Sequence, residues 1–144
     1  MDGAKLTNKK IVFTNGCFDI LHEGHVRLLE FCATLGEVVV GINSDKSVSK
    51  LKGPARPINN AESRRYILKS LVHVKEVHIF EEDTPKELIA KLNPDIVVKG
   101  GDYSKSEVVA SESAEVVIFP FLEGFSTTEM INQIKFQINE KVVR

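Results

Sequence analysis

Two imidazole side chains, His22 and His25, stand three residues apart within the segment 15–25. The apolar run Lys10–Thr14 precedes them and predicts a strand, and apolar residues at helical spacing from Val26 onward predict a helix. The first backbone N–H groups of a helix have no partners within it, and the helix dipole favours negative charge at that end. Two histidines at this point therefore indicate a site for a phosphate chain, with chemistry carried out on that chain.

The size and composition favour one soluble globular domain. The chain has 144 residues, and we expect a single domain over 1–144 with an ordered core of about 9–138. No apolar run approaches the roughly 20 residues of a membrane span. The two cysteines predict no disulfide framework and favour a reducing cytoplasm. A net charge of −1 argues against a general nucleic-acid or membrane-surface binder, although a small anion needs only local positive charge.

Strand and helix patterns alternate along the rest of the chain. A polar run between Asn43 and Asn60 predicts a functional loop, because it is longer than an ordinary connection. Strands that are apolar throughout and separated by helices are typical of a parallel sheet covered on both faces. We therefore predict an α/β, Rossmann-like, doubly wound sheet of about five strands. The further strands are predicted at Glu37–Ile42, Val77–Phe80, Asp95–Val98 and Val116–Phe119.

Three further helices are predicted, and two of them begin with capping boxes. One helix covers Glu62–Val72. The next has Thr84 as N-cap and Glu87 closing the box, and the last begins at Ser126–Glu129 in the same way. In the last helix we expect the apolar side chains to point inward, namely Met130, Ile131, Ile134 and Ile138.

The predicted fold brings the polar groups to one rim. In doubly wound sheets, ligands bind beyond the carboxyl ends of the strands, where the strand order reverses. This rule puts segments 14–25, 43–45, 99–103 and 123–128 together. The groups available for several phosphates are His22, His25, Lys52, Arg56, Arg64, Lys99 and the hydroxyls of Ser126, Thr127 and Thr128. The sequence lacks the motifs GxxxxGK[ST], GxGxxG and GxSxG, so P-loop, standard dinucleotide-binding and α/β-hydrolase sites lose support.

Local sequence leaves several alternatives open. The set Cys17, His22, His25 and Cys32 could bind zinc, but its spacing fits no usual structural pattern. Residues Ser126–Glu129 form a sufficient helix cap without any ligand. Asp19 either caps the first helix or orients a histidine or a nucleotide, and the glycines 100–101 either serve a turn or admit a base.

These motifs resemble those of the cytidylyltransferase-like nucleotidyltransferases. His22-Glu23-Gly24-His25 matches the family's His-x-Gly-His motif after the first strand, and Ser126-Thr127-Thr128 matches the Ser-Thr-Thr that begins the last helix. Within the family, the chain is most similar to the heptose-1-phosphate adenylyltransferases of ADP-heptose synthesis. The segments that carry this similarity are 14–22, 43–45, 51–53 with Arg56-Pro57, 82–85, 94–95 and 98–103, the last with the motif Lys-Gly-Gly-Asp-Tyr.

The resemblance implies transfer of AMP from ATP to D-glycero-D-manno-heptose 1-phosphate, with release of pyrophosphate. The attacking phosphate oxygen is already an anion, so catalysis depends on holding two anions in line and stabilising charge. The alternatives are a glycerol-3-phosphate cytidylyltransferase that uses CTP and a non-catalytic nucleotide-binding module. The resemblance also implies Mg²⁺ carried on the phosphates without a dedicated protein metal site, a homodimer, and a sugar kinase on a separate polypeptide.

The site residues follow from the matched motifs. The resemblance implies catalytic roles for His22, His25, Lys52 and Arg64. It implies nucleotide binding by Asn15, Gly16, Phe18, Asp19, Gly24, Lys99, Gly101, Asp102, Tyr103, Ser126, Thr127 and Thr128. Contacts to the sugar phosphate are expected from Asn43, Asp45 and Arg56.

Overall fold

The computed structural model describes residues 9–101, 104–120 and 124–143. Its five strands form one parallel sheet in the order β3-β2-β1-β4-β5. This order confirms the predicted Rossmann-like α/β fold. The elements are β1 (Ile11–Gly16), α1 (Glu23–Leu35), β2 (Glu37–Asn43), α2 (Asp45–Lys52), α3 (Ala61–Lys69), β3 (Val74–Phe80), α4 (Lys86–Leu92), β4 (Ile96–Gly100), a 3-10 helix (Lys105–Glu107), β5 (Glu115–Phe119) and α5 (Thr127–Val143).

Helices cover both faces of the sheet. Successive strand residues point to opposite faces, so neighbours such as Val12 and Phe13 enter different clusters. On one face, Val12 packs in a cluster with Leu29 of α1 and Leu68 of α3. On the other face, Phe13 packs in a cluster with Ile89 of α4. The sheet is therefore a buried middle layer, which explains why β1, β2 and β4 are largely apolar, whereas the edge strand β3 carries the exposed Lys75 and Glu76.

The strand order reverses between the two central strands. β1 pairs with β2 along its whole length, but it pairs with β4 only at Val12–Ile96 and Phe13–Val97. Beyond these pairs β1 continues to Gly16 and β4 continues to Gly100. The carboxyl ends of the two strands therefore form an open edge at the switch point, where this fold class binds ligands.

Two predictions in the polar and histidine regions were wrong. The run 43–60 is not one loop, because Ser44 caps helix α2 by accepting a hydrogen bond from the Ser47 N–H at 3.2 Å. Helix α2 was missed because it is almost wholly polar, with Val48 as its buried apolar residue. The first helix begins at Glu23 rather than Val26. His22 is therefore its N-cap, and His25 lies in its first turn.

Two predictions about the later helices also need correction. In helix α4 the box predicted from Thr84 and Glu87 does not form, although the Thr84 hydroxyl accepts a hydrogen bond from the Lys86 N–H at 3.4 Å. Along α5, Ile134 is 54% exposed and Ile138 is 56% exposed, although both were expected to point inward. Met130 and Ile131 in the first turns are half-buried, so the inward face is confined to the start of the helix. Within the described ranges, every helix is too short or too polar to cross a lipid bilayer.

Candidate active site

A cleft of about 340 Å³ lies at the switch point between β1 and β4. It is bounded by the turn after β1, the start of α1, the 52–56 segment, the ends of β4 and β5, and the start of α5. The described residues that line it are Asn15, Gly16, Cys17, Phe18, Asp19, His22, Gly24, His25, Leu28, Lys52, Arg56, Lys99, Gly100, Gly101, Phe119, Pro120, Phe125, Ser126, Thr127 and Thr128. The structure therefore brings most of the predicted site residues to one place.

The two histidine rings stack in this cleft. Their centroids are 3.8 Å apart with an interplanar angle of 23°, and the ring of Phe18 lies 5.1 Å from that of His25. The backbone N–H of His22 donates a hydrogen bond to Nδ1 of His25 at 3.2 Å. His25 thus plays the part that Glu plays in a capping box. Because Nδ1 accepts this bond, the neutral ring carries its proton on Nε2, which gives the site a hydrogen-bond donor.

Both rings are held in the neutral form at pH 7. Burial is the main reason that the pKa of His25 is lowered to about 4. The neighbouring His22 lowers this pKa further, whereas Asp19 raises it. Burial also lowers the pKa of His22. The site is therefore built to donate hydrogen bonds from neutral rings, and a bound phosphate would raise both pKa values.

The lowered pKa of His25 predicts a loss of stability in acid. The unfolded chain takes up this proton near pH 6.5, whereas the folded chain resists it down to about pH 4. Stability from this group is therefore complete above pH 6.5 and decreases as the pH falls toward 4, by up to about 3 kcal/mol. Urea unfolding at pH 7 and pH 4.5 measures the decrease. In a His25→Asn variant the decrease should be smaller, and an equal decrease would contradict this origin.

Gly24 provides the space that the His22 ring occupies. A Cβ at position 24 would lie 2.9 Å from Cε1 of His22 and 2.9 Å from Cβ of Phe125. Real Cβ atoms do not approach other atoms so closely, so a side chain here must displace the ring or the start of α5. The structure thus gives the middle glycine of the motif a packing role beside the imidazole.

A Gly24→Ala substitution is expected to lower turnover by about 10- to 100-fold, because it shifts the His22 ring away from its donor position. The helix itself should tolerate alanine, which has the higher helix propensity. Steady-state kinetics and thermal unfolding measure the two effects separately. Glu23→Ala is the matched control, since Glu23 is exposed and its carboxylate pairs with Arg27 at 2.7 Å. Equal activity of the two variants would exclude the packing role.

The turn between β1 and α1 adopts an unfavourable backbone conformation. Phe18 has φ of 51° and Ile20 has φ of 49°, although neither is glycine. Each left-handed residue costs about 1–2 kcal/mol, and branched residues rarely adopt this region. The Thr127 hydroxyl donates to the carbonyl of Asp19 at 2.7 Å and to that of Ile20 at 3.2 Å. The turn is therefore held by another element, as is common for strained segments at functional sites.

Positive side chains surround the cleft. Lys52, Arg56 and Lys99 line it, whereas Asp19 is the only carboxylate among the described lining residues. Burial lowers the pKa of Lys99; Cys17 raises this pKa, whereas Lys52 lowers it. Mutually repelling cations in one cleft favour binding of an anion.

Arg64 lies behind the cleft rather than in it, contrary to the expectation from the sequence. It is 1% exposed, and its guanidinium donates to the carbonyl of Asn59 at 2.9 Å, to that of Cys17 at 2.8 Å and to the carboxylate of Asp45 at 2.9 Å. These three bonds join α3 to the turn after β1 and to the start of α2. The structure gives Arg64 a supporting position.

Two of the residues predicted to contact the sugar phosphate also support the turn. The side-chain amide of Asn43 donates to Ser47 Oγ at 3.0 Å, and its oxygen lies 3.8 Å from the thiol of Cys17. Asp45 pairs with Arg64. Neither lines the cleft, whereas Arg56 does. Burial raises the pKa of the Cys17 thiol, although nearby cations oppose this, which agrees with a turn residue rather than a nucleophile.

The three hydroxyl residues at the start of α5 make different hydrogen bonds. Ser126 Oγ accepts a hydrogen bond from the Glu129 N–H at 3.3 Å, so this half of the predicted cap forms. Thr127 is 9% exposed and holds the β1–α1 turn. Thr128 Oγ1 lies 3.5 Å from Nη1 of Arg56. All three residues nevertheless line the cleft, beside the positive end of the helix.

Gly101 follows β4 directly and has φ of 119°, in the region that favours glycine, and its N–H donates to the carbonyl of Phe119 at 3.0 Å. The glycine therefore serves the turn as well as lining the cleft. Asp102 and Tyr103, which were predicted to bind the nucleotide, lie outside the described residues.

Sequence reasoning missed the apolar part of the cleft, formed by Leu28, Phe119 and Pro120. Leu28 follows His25 by three residues and so shares its face of α1, which was one available signal. Phe119 ends β5 and Pro120 follows it, so their place at the carboxyl edge of the sheet was the other. An apolar wall beside a cationic one suits a nucleoside phosphate.

The zinc alternative finds no support in the described part of the chain. No group of three or more histidine, cysteine or acidic side chains within residues 9–101, 104–120 and 124–141 could hold a metal ion. Cys32 is fully buried in the core on α1, and burial raises its pKa to about 12.

The comparisons with known proteins agree with this geometry. The family model described as cytidylyltransferase-like matches residues 13–137. The chain belongs to the cytidylyltransferase-like family. The family's His-x-Gly-His and Ser-Thr-Thr motifs both line the cleft described above.

Relatives in this family are similar over nearly the whole chain. The bifunctional protein HldE of Sulfurimonas denitrificans is 53% identical over 133 residues, covering 91% of this chain and 28% of that protein. The protein of the same name from Aliarcobacter butzleri is 55% identical over 142 residues, with 96% and 29% covered. The chain thus spans less than a third of the length of these relatives.

Two solved structures in the comparison share the fold. The lipopolysaccharide core biosynthesis protein from Thermoplasma volcanium superposes with a TM-score of 0.67 at 25% identity, covering 81% of this chain and all of that one. The pantothenate synthetase of Thermus thermophilus gives a TM-score of 0.53 at 16% identity, covering 78% and 56%. The second comparison shows the fold alone.

Proposed function

We propose that this nucleotidyltransferase domain transfers AMP from Mg·ATP to D-glycero-D-manno-heptose 1-phosphate, giving ADP-heptose and pyrophosphate. The observation that carries this proposal is the stacked pair of neutral histidines at the start of α1, inside a cationic cleft at the switch point. Identities of 53–55% to relatives named HldE favour this activity over the glycerol-3-phosphate cytidylyltransferase alternative.

The chemistry requires position and charge more than proton transfer. An oxygen of the sugar 1-phosphate attacks the α-phosphorus of ATP, and the bond from that phosphorus to the bridging oxygen breaks as pyrophosphate leaves with the electron pair. We infer that Nε2–H of His25 and the ring of His22 donate to the phosphate oxygens whose charge grows in the transition state. Lys52, Arg56 and Lys99 supply fixed positive charge around both anions.

The phosphates and the base would occupy different walls of the cleft. We infer that the start of α5, with Ser126 and Thr128, holds the β- and γ-phosphates at the positive end of that helix. Asn15, Gly16 and Phe18 would border the nucleotide on the β1 side. The end of β4, from Lys99 to Gly101, would lie along the adenine, and the apolar residues opposite would exclude water from it.

The chemistry of the lining residues decides how Mg²⁺ would enter. The one carboxylate among the described lining residues, Asp19, already accepts hydrogen bonds on both oxygens. We therefore infer that Mg²⁺ arrives bound to the triphosphate as part of the substrate. A cytoplasmic location and a homodimer are our further proposals, the second by analogy with the family, and analytical ultracentrifugation tests it.

A substrate panel tests the proposed function directly. Each of ATP, CTP, GTP and UTP is combined with heptose 1-phosphate or glycerol 3-phosphate, and pyrophosphate release is measured. We expect release with ATP and the heptose phosphate alone. Release with CTP and glycerol 3-phosphate alone would establish the alternative, and ATP binding without any release would support a non-catalytic module.

A further inference from the structure

Asp19 has a buried carboxylate whose partners all belong to one segment. Its side chain is 0% exposed. Oδ1 accepts from the Asn59 N–H at 2.9 Å, and Oδ2 accepts from the Ile58 N–H at 2.7 Å and from Nε of Arg56 at 3.1 Å. The side chain therefore does not cap α1, whose N-cap is His22, and its oxygens bond to segment 56–59 rather than to a histidine. Orienting a nucleotide was the third role that the sequence suggested.

The main chain of the same residue joins a third element. The carbonyl of Asp19 accepts from the Thr127 hydroxyl at 2.7 Å, which ties the turn to the start of α5. Three walls of the cleft therefore meet at this residue: the β1–α1 turn, the segment 56–59 and the start of α5.

Charge matching keeps this junction ionised. Burial by itself raises the pKa of Asp19, but the N–H groups of Ile58 and Asn59 and the guanidinium of Arg56 hold it below its usual range. A buried carboxylate with this set of donors is an anchor, since its oxygens are already occupied by protein groups.

The anchored group that faces the cleft is Arg56. Its side chain is 11% exposed and lines the cleft, with Nε held by Asp19 and Nη1 3.5 Å from Thr128 Oγ1. An arginine side chain loses substantial rotamer freedom on being ordered, so holding it before substrate binds removes that cost from the reaction. A guanidinium in fixed orientation also meets a phosphate better than a mobile charge does.

We propose that Asp19 is a positioning residue for the transfer reaction, which fixes the Arg56 guanidinium so that it binds a phosphate group of the substrates. This inference depends on the proposed function, because it assigns Arg56 to the anions of that reaction. Asp19 acts through Arg56 and through the shape of segment 56–59, without touching the substrate.

A double-mutant cycle tests the coupling. The variants are Asp19→Asn, Arg56→Ala and the combination, assayed for pyrophosphate release with the substrate pair that the unmodified domain prefers. We expect each single change to lower kcat/KM by about 30- to 100-fold. The kcat/KM of the double variant should be less than threefold below that of the less active single variant. Losses that multiply would show that Asp19 acts independently of Arg56 and would overturn the proposal.

Two further variants separate positioning from folding. Asn60→Ala removes the cap of α3, where Asn60 accepts from the Ser63 N–H at 2.8 Å, beside the same segment but away from Arg56. It should lower the melting temperature and leave kcat/KM within twofold, whereas an activity loss equal to that of Asp19→Asn would indicate a merely structural role.

Arg56→Lys keeps the charge but not the held guanidinium, so its kcat/KM should be within threefold of that of Arg56→Ala. Activity near that of the unmodified domain would contradict positioning even if Asp19→Asn does not fold.

A direct readout keeps this inference distinct from the proposed function. The Nε–H signal of Arg56 in ¹⁵N NMR reports its bond to Asp19 without any turnover. We expect a slowly exchanging signal that is lost in Asp19→Asn and kept in Asn60→Ala. If the unmodified domain prefers CTP or another acceptor, the proposed function fails while the cycle and the signal still decide the role of Asp19. Rapid exchange of this signal in the unmodified domain would refute the inference.

Discussion

His25→Ala is expected to lower turnover by about 10²–10³ while leaving the fold intact. The ring lies in the cleft, stacked on His22, and its Nδ1 is occupied by the His22 N–H, so Nε2–H is the group available to a substrate. Loss of one preorganised donor that acts on developing charge costs about 2.7–4 kcal/mol of transition-state stabilisation. Rapid-quench and steady-state assays with saturating ATP and acceptor measure the effect on the chemical step.

Two conservative variants at the same position identify which ring nitrogen acts. In His25→Asn, the side-chain oxygen can take the place of Nδ1 and accept from the His22 N–H, but nothing replaces the Nε2–H donor. In His25→Gln, the longer side chain can place an amide N–H near the position of Nε2. We expect the glutamine variant to be at least about tenfold more active than the asparagine variant.

The outcomes of this pair are distinct. Near-normal turnover of the asparagine variant would show that His25 takes no part in the reaction and serves only to cap the helix. A glutamine variant as inactive as the alanine variant, with normal stability, would show that an amide N–H does not replace the imidazole and would contradict the role of a single N–H donor. Melting temperatures of all three variants control for unfolding.

The sequence predicted the sheet well because the information was local and repeated. A strand such as β2, which is apolar from Val38 to Ile42, is typical of a layer covered on both faces, and the intervening helices then set the parallel order. The rim followed from that order, because the carboxyl ends of parallel strands share one edge. His22 and His25 were placed at this rim because residue type, spacing and the change from strand to helix agreed, although the predicted start of the helix was three residues late.

The direction of long polar side chains was not predictable in the same way. Arg64 and Asp45 have types suited to binding anions, yet the structure pairs them with each other and with main-chain carbonyls. Charge identifies a group that can bind a phosphate, but only three-dimensional packing decides whether that group faces the cleft or holds its wall. Thr127 shows the same difference, because its hydroxyl serves the turn at Asp19 and Ile20.

Arg64→Ala is expected to lower the free energy of unfolding by about 2–4 kcal/mol, because a carbonyl left without its donor costs about 1–3 kcal/mol, whereas Asp45 is half exposed and regains water. The side chain is fully buried, and its loss leaves the carbonyls of Cys17 and Asn59 without their donors, together with a cavity. Arg65→Ala is the matched control, since the neighbouring Arg65 is 41% exposed and pairs with Glu62 at 3.3 Å. That control should change stability by no more than about 0.5 kcal/mol.

The supporting position of Arg64 is tested by comparing stability with turnover. Urea unfolding at pH 7 gives the first quantity, and kcat at a temperature where every variant is folded gives the second. Arg64→Lys keeps one positive charge but cannot make three bonds in different directions, so we expect it to lose stability by an amount between those of the alanine variant and the control. An Arg64→Lys variant as stable as the unmodified domain but inactive would instead place the guanidinium in the reaction, as the sequence first suggested. A loss of stability with kcat nearly retained is the expected result, because the three bonds hold the wall behind the histidines rather than the substrate.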